Sequence, residues 1–324
     1  MKITNGLAGI EVIELPTEWP VGPVNVFLIQ GEKLTLVDCG RKLESAWKIF
    51  KSELQQRGLT IYDIDQVILT HHHTDHTGFL DWLLEEKEVP VYAHPNCKPF
   101  LSKDEAHLSW SKQFFAGFYQ EFGIPSDLSQ KMLSTKGWDR GLKNAVDISV
   151  EIDEGISIPG MPDWQVIETK GHAQSHISLY RPSDQVFLCG DHIIKHTPAG
   201  IFLEPPVTPG TKRAKPLIQY IDNLKKCLNM QISITLSGHG EPIENVHEHI
   251  KETLAKIDKR ALRVKNLLFD GRKNGYELVK TLYPGRDDRS LNVLASDTVG
   301  LLDLLLYRSE ITCEEENGVL YYSI

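Results

Sequence analysis

The chain has 324 residues, of which 41% are hydrophobic and 24% are charged, as is ordinary for a globular protein that buries a large core. Its formal net charge of −9 at pH 7 argues against a general electrostatic attraction to nucleic acid or to an anionic membrane. No apolar run approaches the length of a membrane span.

The cysteines and the first residues bear on the cellular compartment. Five cysteines are scattered along the chain without a CxxC pair, which fits neither a disulfide framework nor a thiolate zinc site. Residues 1–6 lack the apolar segment of a signal peptide. We therefore expect a cytoplasmic protein that acts on a small molecule in water and has no membrane partner.

The first 240 residues alternate strand and helix patterns. Short apolar or alternating runs broken by proline and glycine predict strands. A helical pattern over residues 43–57 ends at Gly58. These elements favour an α+β fold, an αββα sandwich of two mostly antiparallel sheets with helices outside. The predicted strands cover residues 10–15, 24–30, 34–38, 67–70, 89–93, 146–152, 164–169, 176–180, 185–188 and 232–236.

A histidine-rich motif, HxHxDH, follows the apolar strand that ends near residue 70. Alternation along an extended segment places His71 and His73 on one side, as a pair for one ion, and turns Asp75 and His76 toward a neighbouring position. Imidazoles and a carboxylate at one point suit Zn²⁺ and related divalent metals. An expression tag would lie at a terminus, and a surface loop would not need an apolar strand before it and an amphipathic helix after it.

A helical insertion interrupts the strands at about residues 96–145. It follows the strand next to the histidine motif, so it can arch over the site. Two interpretations stay open: the rings pack the insertion onto the sandwich, or several of them also line an apolar substrate pocket. Its aromatic residues are Phe100, Trp110, Phe114, Phe115, Phe118, Tyr119, Phe122 and Trp138.

Three further candidate ligands, His172, Asp191 and His239, come directly after predicted strands and beside glycines. Functional groups often lie on loops at strand ends, and glycine lets the backbone turn tightly there. A proline-rich loop at 202–210 follows Asp191 and is expected near the same face.

The character of the chain changes at about residue 244. One apolar stripe runs along a long helix over 246–268, and helical patterns follow at 276–283 and 291–307. A hairpin with an Asn317-Gly318 turn ends the chain. We expect a domain over 1–243 and a second one over 244–324.

The motifs in this order resemble the metallo-β-lactamase superfamily, over roughly residues 8–245. The ligand set resembles that of glyoxalase II; class B β-lactamases commonly carry a cysteine where Asp191 falls. Three helices and a hairpin resemble the winged-helix domain appended to some members. The seven positions that carry the resemblance are His71, His73, Asp75, His76, His172, Asp191 and His239.

The resemblance implies an αββα fold with two divalent metal ions, expected to be Zn with Fe or Mn as alternatives. The first ion would be held by His71, His73 and His172. The second would be held by Asp75, His76 and His239. Asp191 would bridge both ions, and Asp75 would also orient the attacking water as a catalytic residue.

A metal-bridging hydroxide implies hydrolysis, and we expect a thioester, ester or lactone as substrate. Cleavage of a small phosphodiester or of single-stranded RNA is the alternative. A remote alternative is a non-enzymatic, metal-stabilised partner module.

The winged-helix resemblance does not predict DNA binding. Residues 244–324 carry 12 Lys and Arg against 14 Asp and Glu, and the hairpin holds three consecutive glutamates. Duplex DNA is bound through a positive face. We expect no duplex DNA partner, and a role for this region in packing, in a homodimer or in supporting the substrate pocket.

Overall fold

Two β-sheets lie face to face in the computed structural model, which describes residues 7, 9–135, 141–287 and 290–324. The first sheet has the order β1-β2-β3-β4-β5-β6 and the second β10-β9-β8-β7. The strands are β1 Ile10–Leu15, β2 Val24–Gln30, β3 Leu34–Val37, β4 Gln66–Ile68, β5 Val91–Ala93, β6 Val150–Glu151, β7 Gln165–Glu168, β8 Ile177–Arg181, β9 Val186–Gly190 and β10 Ile234–Ser237.

Helices cover the outer face of each sheet, so the predicted αββα sandwich is confirmed. Within the described residues, they are α1 Glu44–Gln56, α2 Thr74–Thr77, α3 Leu80–Glu86, α4 Lys98–Leu101, α5 Glu105–Glu121, α6 Ser126–Thr135, α7 Pro216–Leu228, α8 Val246–Leu267, α9 Gly275–Leu282 and α10 Leu291–Tyr307. None of these helices combines the length and the apolar character that crossing a membrane requires.

The expectation of mostly antiparallel sheets was wrong for the first sheet, which within the described residues has two antiparallel and three parallel pairings, and right for the second, which has two antiparallel and one parallel. Among the described strands, β3-β4, β4-β5, β5-β6 and β9-β10 pair in parallel. Parallel neighbours need a crossover connection, which α1 supplies between β3 and β4 and α3 supplies between β4 and β5. The strand expected over 146–152 is reduced to β6.

Strand β2 shows how the layers are held together, because it is buried on both faces. Phe27 and Ile29 point into the core between the sheets, where they meet Leu179 and Leu188 of the second sheet. The alternate residues Val26 and Leu28 belong to the core beneath α1 and α3. Period-two alternation therefore assigns successive side chains of one strand to two different cores.

The helices after residue 244 share a core with the second sheet. Phe187 of β9, Leu224 of α7, Val264 of α8 and Val299 of α10 lie in one continuous buried cluster. Gly300 lets α10 approach α7 closely, since a Cβ built there would lie 3.1 Å from the Cβ of Leu217.

A three-stranded antiparallel sheet accompanies α8, α9 and α10 at the end of the chain. Its order is β11-β13-β12, with β11 at Lys273–Asn274, β12 at Thr312–Glu316 and β13 at Val319–Ser323. The predicted helices and hairpin are present, and the two-residue β11 is an addition. The likeness to a winged-helix domain and the boundary at residue 243 stay predictions.

Candidate metal centre and its cavity

The histidine motif occupies the loop after β4 and the short helix α2. His71 and His73 lie on the extended loop, and α2 turns Asp75 and His76 toward them. His71 and His76 are fully buried and Asp75 is 5% exposed. The motif is therefore held between the buried end of a strand and a helical turn.

His172, Asp191 and His239 reach the same place from the second sheet. They follow β7, β9 and β10 respectively. Because β9 and β10 are parallel, their carboxyl ends lie at one edge of the sheet. The structure thus brings together all seven residues named from the sequence.

Potential ligand atoms form four overlapping groups, within each of which the atoms lie within 4.8 Å of one another. One of these is His72, His73 and Glu204, and the other three consist of the seven residues named from the sequence. Two of these three groups match the two expected ion sites, and the third shares His71 with one of them and His76 with the other. The three groups are His71, His73 and His172; His71, His76 and Asp191; and Asp75, His76 and His239.

Hydrogen bonds at the outer edge of the rings set which nitrogen carries the proton. His172 Nδ1 donates to the carbonyl of Gly200 at 2.6 Å, and His239 Nδ1 donates to the carbonyl of Pro23 at 2.7 Å. A carbonyl oxygen can only accept, so the Nε2 atom of each neutral ring presents a lone pair to the centre.

His76 and His71 follow the same rule. His76 Nδ1 donates to Asp38 Oδ2 at 2.8 Å. The hydroxyl of Thr70 donates to the same carboxylate, so its oxygen accepts from His71 Nδ1 at 3.0 Å. In their neutral forms both rings therefore also present Nε2 lone pairs inward.

Nitrogen lone pairs and carboxylate oxygens point into the same small region, where they repel one another. A cation bound between them would offset this repulsion. His172 Nε2 lies 2.8 Å from His73 Nδ1, and His71 Nε2 lies 3.1 Å from the same atom. Among the described residues, His76 Nε2 and Asp191 Oδ1 are buried without a hydrogen-bond partner. Such a donor set fits divalent metal ions, and imidazole with carboxylate is compatible with zinc.

The pKa values of the histidines agree with neutral ligand nitrogens on one side of the centre. Burial, followed by the neighbouring His172, lowers the pKa of His73 to about 3. Burial and the adjacent histidines also lower the pKa of His71 well below its usual value. Although burial alone would lower the pKa of His76, the surrounding carboxylates of Asp191, Asp75 and Asp38 raise it well above its usual value.

Asp191 sits between the two groups of histidines. Its Oδ1 is 3.4 Å from His76 Nε2, and its Oδ2 is 3.5 Å from both His172 Nε2 and His239 Nε2. Asp75 Oδ2 lies 3.2 Å from His239 Nε2. One carboxylate thus faces both candidate ion sites, which is the geometry that a bridging ligand requires.

Sequence reasoning did not single out Asp38, which orients His76 and, through Thr70, His71. The signal was present, since Asp38 also comes directly after an apolar strand. His176 plays a supporting part: its Nε2 accepts a hydrogen bond from the backbone N–H of Asp191 at 3.0 Å. Supporting groups of this kind fix the orientation of the ligands.

A second cluster, His94 with Asp153 and Glu168, also groups possible ligand atoms. His94 Nδ1 accepts from the backbone N–H of Asn96 at 3.0 Å. Its Nε2 therefore carries the hydrogen in the neutral ring and points toward Glu168 Oε2, 3.8 Å away. A protonated nitrogen cannot bind a metal ion, so the cluster is an electrostatic contact.

A cavity of about 710 Å³ opens onto the seven-residue cluster. Its volume lies within the range of small-molecule sites. Most of its exposed surface is apolar. The apolar lining includes Trp19, Phe100, Phe115, Ile194, Phe202 and Leu203.

Both interpretations of the aromatic insertion apply, to different rings. Phe100 and Phe115 line the cavity, and Phe100 stacks on His72 with ring centroids 3.6 Å apart. Phe118 instead packs on Phe122 in the core, with ring centroids 5.1 Å apart. Trp138 lies outside the described residues.

The proline-rich loop lines the cavity as expected. Phe202 contacts the rings of His73 and His172 at 5.3 and 5.4 Å between centroids. The loop is tied to the insertion, where Trp110 Nε1 donates to the carbonyl of Pro206 at 2.8 Å.

Comparison with known proteins agrees with this architecture. A sequence model described as "Metallo-beta-lactamase superfamily" matches residues 19–239. The chain belongs to the metallo-beta-lactamase superfamily. The superfamily match spans every residue of the seven-membered cluster.

Two curated relatives and one solved structure match most of the chain. The chain is 32% identical to "Probable metallo-hydrolase YqjP" of Bacillus subtilis, over 96% of each protein. It is 21% identical to "Atrochrysone carboxyl ACP thioesterase" of Passalora fulva, over 82% of this chain and 63% of that protein. A metallo-beta-lactamase family protein from Thermus thermophilus shares the fold at a TM-score of 0.78 and 22% identity, over 98% of this chain and 99% of the other.

Proposed function

We propose that this protein is a dinuclear metal-dependent hydrolase that cleaves an acyl compound: a thioester, an ester or a lactone. The observation that carries the proposal is the predominantly apolar cavity ending on the seven-residue cluster. An apolar chamber can hold an acyl group while the cluster acts on its carbonyl carbon. The hydrolase and thioesterase names of the two relatives support the same class.

Different residues around the centre would have different roles in the reaction. When bound, divalent ions would lower the pKa of a water molecule toward roughly 7 and polarise the substrate carbonyl. Asp75, whose carboxylate reaches the centre and is 5% exposed, would accept a hydrogen bond from that water and orient it. Phe202 and Phe100 would exclude bulk water from the carbonyl, because both line the cavity beside the histidines.

The charge of the lining favours an acyl substrate over a phosphodiester. Among the described residues that line the cavity, none is lysine or arginine. Binding of nucleic acid depends on cationic side chains that neutralise phosphates. The lining instead offers aromatic and aliphatic walls, which suit an alkyl or aromatic acyl group.

The first experiment counts the metal ions and tests the shared carboxylate. Protein purified without chelator should contain about two divalent ions per chain by elemental analysis. Asp191→Ala should lower the metal content to one ion or fewer. It should lower activity by more than roughly 10- to 100-fold, which is the loss typical of removing a group that only supports a metal ligand. Asp184→Ala is the control, because Asp184 bonds Arg181 on the strand connection away from the centre. Wild-type protein saturating at one ion, or Asp191→Ala with two tightly held ions and normal turnover, would contradict the dinuclear proposal.

The second experiment identifies the bond that is cleaved. Metal-loaded protein is assayed on acyl-CoA, acyl-glutathione, p-nitrophenyl esters, lactones, bis-p-nitrophenyl phosphate and single-stranded RNA. We expect turnover on at least one acyl compound and none on the phosphodiesters. Phosphodiester or RNA cleavage without acyl hydrolysis would replace the proposal with the alternative.

A further inference from the structure

Two serine hydroxyls interrupt the apolar wall of the cavity. Ser111 lies on α5 and Ser296 on α10, and both residues line the cavity. They are 5% and 3% exposed respectively. Neither serine belongs to the metal-ligand cluster, whose members come from strand ends and from α2.

Ser296 has an unused hydrogen-bonding group. In the part of the chain that the structure describes, its hydroxyl makes no hydrogen bond. Ser111 donates to the carbonyl of His107 at 2.7 Å, which leaves the lone pairs of its oxygen able to accept. A hydroxyl that lines a cavity and has no protein partner can form a hydrogen bond with a bound ligand.

The position of Ser296 is fixed by a contact between α5 and α10. The hydroxyl of Tyr119 donates to Asn292 Oδ1 at 3.0 Å. Asn292 and Ser296 are four residues apart on α10, so they share one face of the helix. Both line the cavity, and the helix after residue 290 thus provides part of its wall.

The charges of the residues that line the cavity favour a neutral ligand group at this wall. The charged lining residues are Asp75, Asp191 and Glu204, and none is lysine or arginine among those described. A carboxylate or phosphate at this wall would find no cation, whereas a hydroxyl can both donate to and accept from a serine.

We propose that Ser296, with Ser111, forms a subsite for a neutral hydroxyl group carried on the acyl part of the substrate. The inference rests on the proposed function only for the identity of that part as an acyl group. The α10 helix, which lies outside the family match at residues 19–239, is thereby a determinant of specificity.

Binding measurements test the subsite without relying on turnover. Zinc-loaded full-length protein is titrated by calorimetry with hexanoic, octanoic and decanoic acids, each with and without a hydroxyl on its terminal carbon. The carboxylate serves as a product mimic at the metal end, and the chain lengths move the hydroxyl along the cavity. We expect at least one hydroxylated acid to bind about three- to tenfold tighter than its unsubstituted partner, the ratio that a hydrogen bond between neutral groups provides.

Variants assign the preference to the serines. Ser296→Ala should abolish the preference, while Ser296→Thr, which keeps a hydroxyl, should retain part of it. Ser134→Ala is the matched control, because Ser134 also donates to a helix carbonyl but is exposed on α6. Thermal melting verifies that each variant is folded.

Two results would overturn the subsite: no hydroxylated acid preferred by the wild type, or a preference that survives both Ser296→Ala and Ser111→Ala. Failure of the proposed function would be distinguishable from failure of the subsite. In that case the substrate panel would show no acyl hydrolysis, whether or not the hydroxylated acids bind more tightly.

Discussion

At the scale of single residues, Asp38 orients members of the ligand cluster from a fully buried position. Its Oδ1 accepts from the backbone N–H of Thr70 at 2.8 Å, and its Oδ2 accepts from the Thr70 hydroxyl and from His76. Asp38 is fully buried with a φ of 64°, a left-handed conformation that Asp and Asn tolerate better than most side chains. One carboxylate therefore fixes two neighbouring ligands.

Asp38→Asn should keep the backbone conformation but weaken the acceptor that holds His76. We expect zinc affinity to fall roughly 10- to 100-fold, as measured by competition with a chromophoric chelator. Asp81→Asn is a matched control: Asp81 is a buried carboxylate that accepts backbone N–H groups of Lys143 and Asn144 instead. Its loss should reduce stability and leave zinc affinity unchanged. Equal zinc affinity in Asp38→Asn and wild type would refute the orienting role.

The sequence predicted which residues would gather but not which groups hold them. Strand-end histidines and aspartates beside glycines were recognisable from local pattern alone. Asp38 carried the same pattern, but its contact with His76 depends on how the loop after β4 folds back onto the end of β3. No local rule reports a contact across 38 positions of sequence.

At the scale of elements, helix α5 divides its aromatic rings between two tasks. Phe115 and Phe118 are three residues apart and share a side of the helix, but they lie about 4.5 Å apart along its axis. Both rings belong to one hydrophobic core, and of the two only Phe115 also lines the cavity. The periodicity of the sequence predicted the helix and which of its sides is aromatic. Which ring on that side reaches the cavity depends on tertiary packing.

Replacing the two rings separately should show which of them governs substrate choice, since both losses cost stability. Phe115→Ala should flatten the dependence of hydrolysis on acyl chain length, because part of the ~0.8 kcal/mol per buried CH₂ is lost. Phe118→Ala should leave that dependence unchanged and lower the free energy of unfolding by about 3–5 kcal/mol. Rates across a series of p-nitrophenyl esters and urea denaturation curves measure these effects. Identical chain-length profiles for both variants would mean that Phe115 is core packing only.

The loop between β9 and α7 is anchored to the end of the chain by an ion pair. Arg213 donates from both terminal nitrogens to Asp303 of α10, at 2.5 and 2.8 Å. Asp303 is 3% exposed. The loop that carries Phe202 is thus fixed at one end by α10 and, through Trp110, by α5.

Asp303→Asn should loosen this loop. We expect KM for acyl substrates to rise several-fold with a smaller change in kcat, and the free energy of unfolding to fall by about 1–3 kcal/mol, as loss of a buried charge partner predicts. Asp258→Asn, which removes the exposed pair with Arg308, should change stability by less than about 1 kcal/mol. Similar kinetics in Asp303→Asn and wild type would show that the anchor does not control the cavity.

At the scale of the whole molecule, one hydrophobic core passes from the second sheet through α7 into α8, α9 and α10. The sequence showed a change near residue 244 from alternating strand and helix patterns to mainly helical ones, and it closely predicted the helices that follow. It could not show that their apolar stripes would pack on α7 and α5 rather than only on one another. An amphipathic pattern specifies a buried side and leaves its partner open.

The charge of this region leads to a prediction about nucleic acid. Glu314 and Glu315 are exposed on β12, and Arg272 is paired with Glu316. We expect the full chain to bind duplex DNA no tighter than the roughly 10⁻⁴–10⁻⁶ M of non-specific binding at about 150 mM salt. Fluorescence anisotropy with a labelled duplex measures this. A Glu314→Lys, Glu315→Lys variant should gain salt-sensitive affinity, and sub-micromolar binding by the wild type would contradict the expectation.

The order in which the site is completed during synthesis follows from the position of Asn292 and Ser296 in the cavity wall. All seven side chains of the cluster have been synthesised by residue 239, well before this part of the wall. A polypeptide released or cleaved after residue 243 would retain every ligand atom and lack the far side of the chamber. It would also expose the apolar face of α7, including Leu217 and Leu224, to solvent. Limited proteolysis between these regions should therefore yield an aggregation-prone fragment rather than an active smaller enzyme.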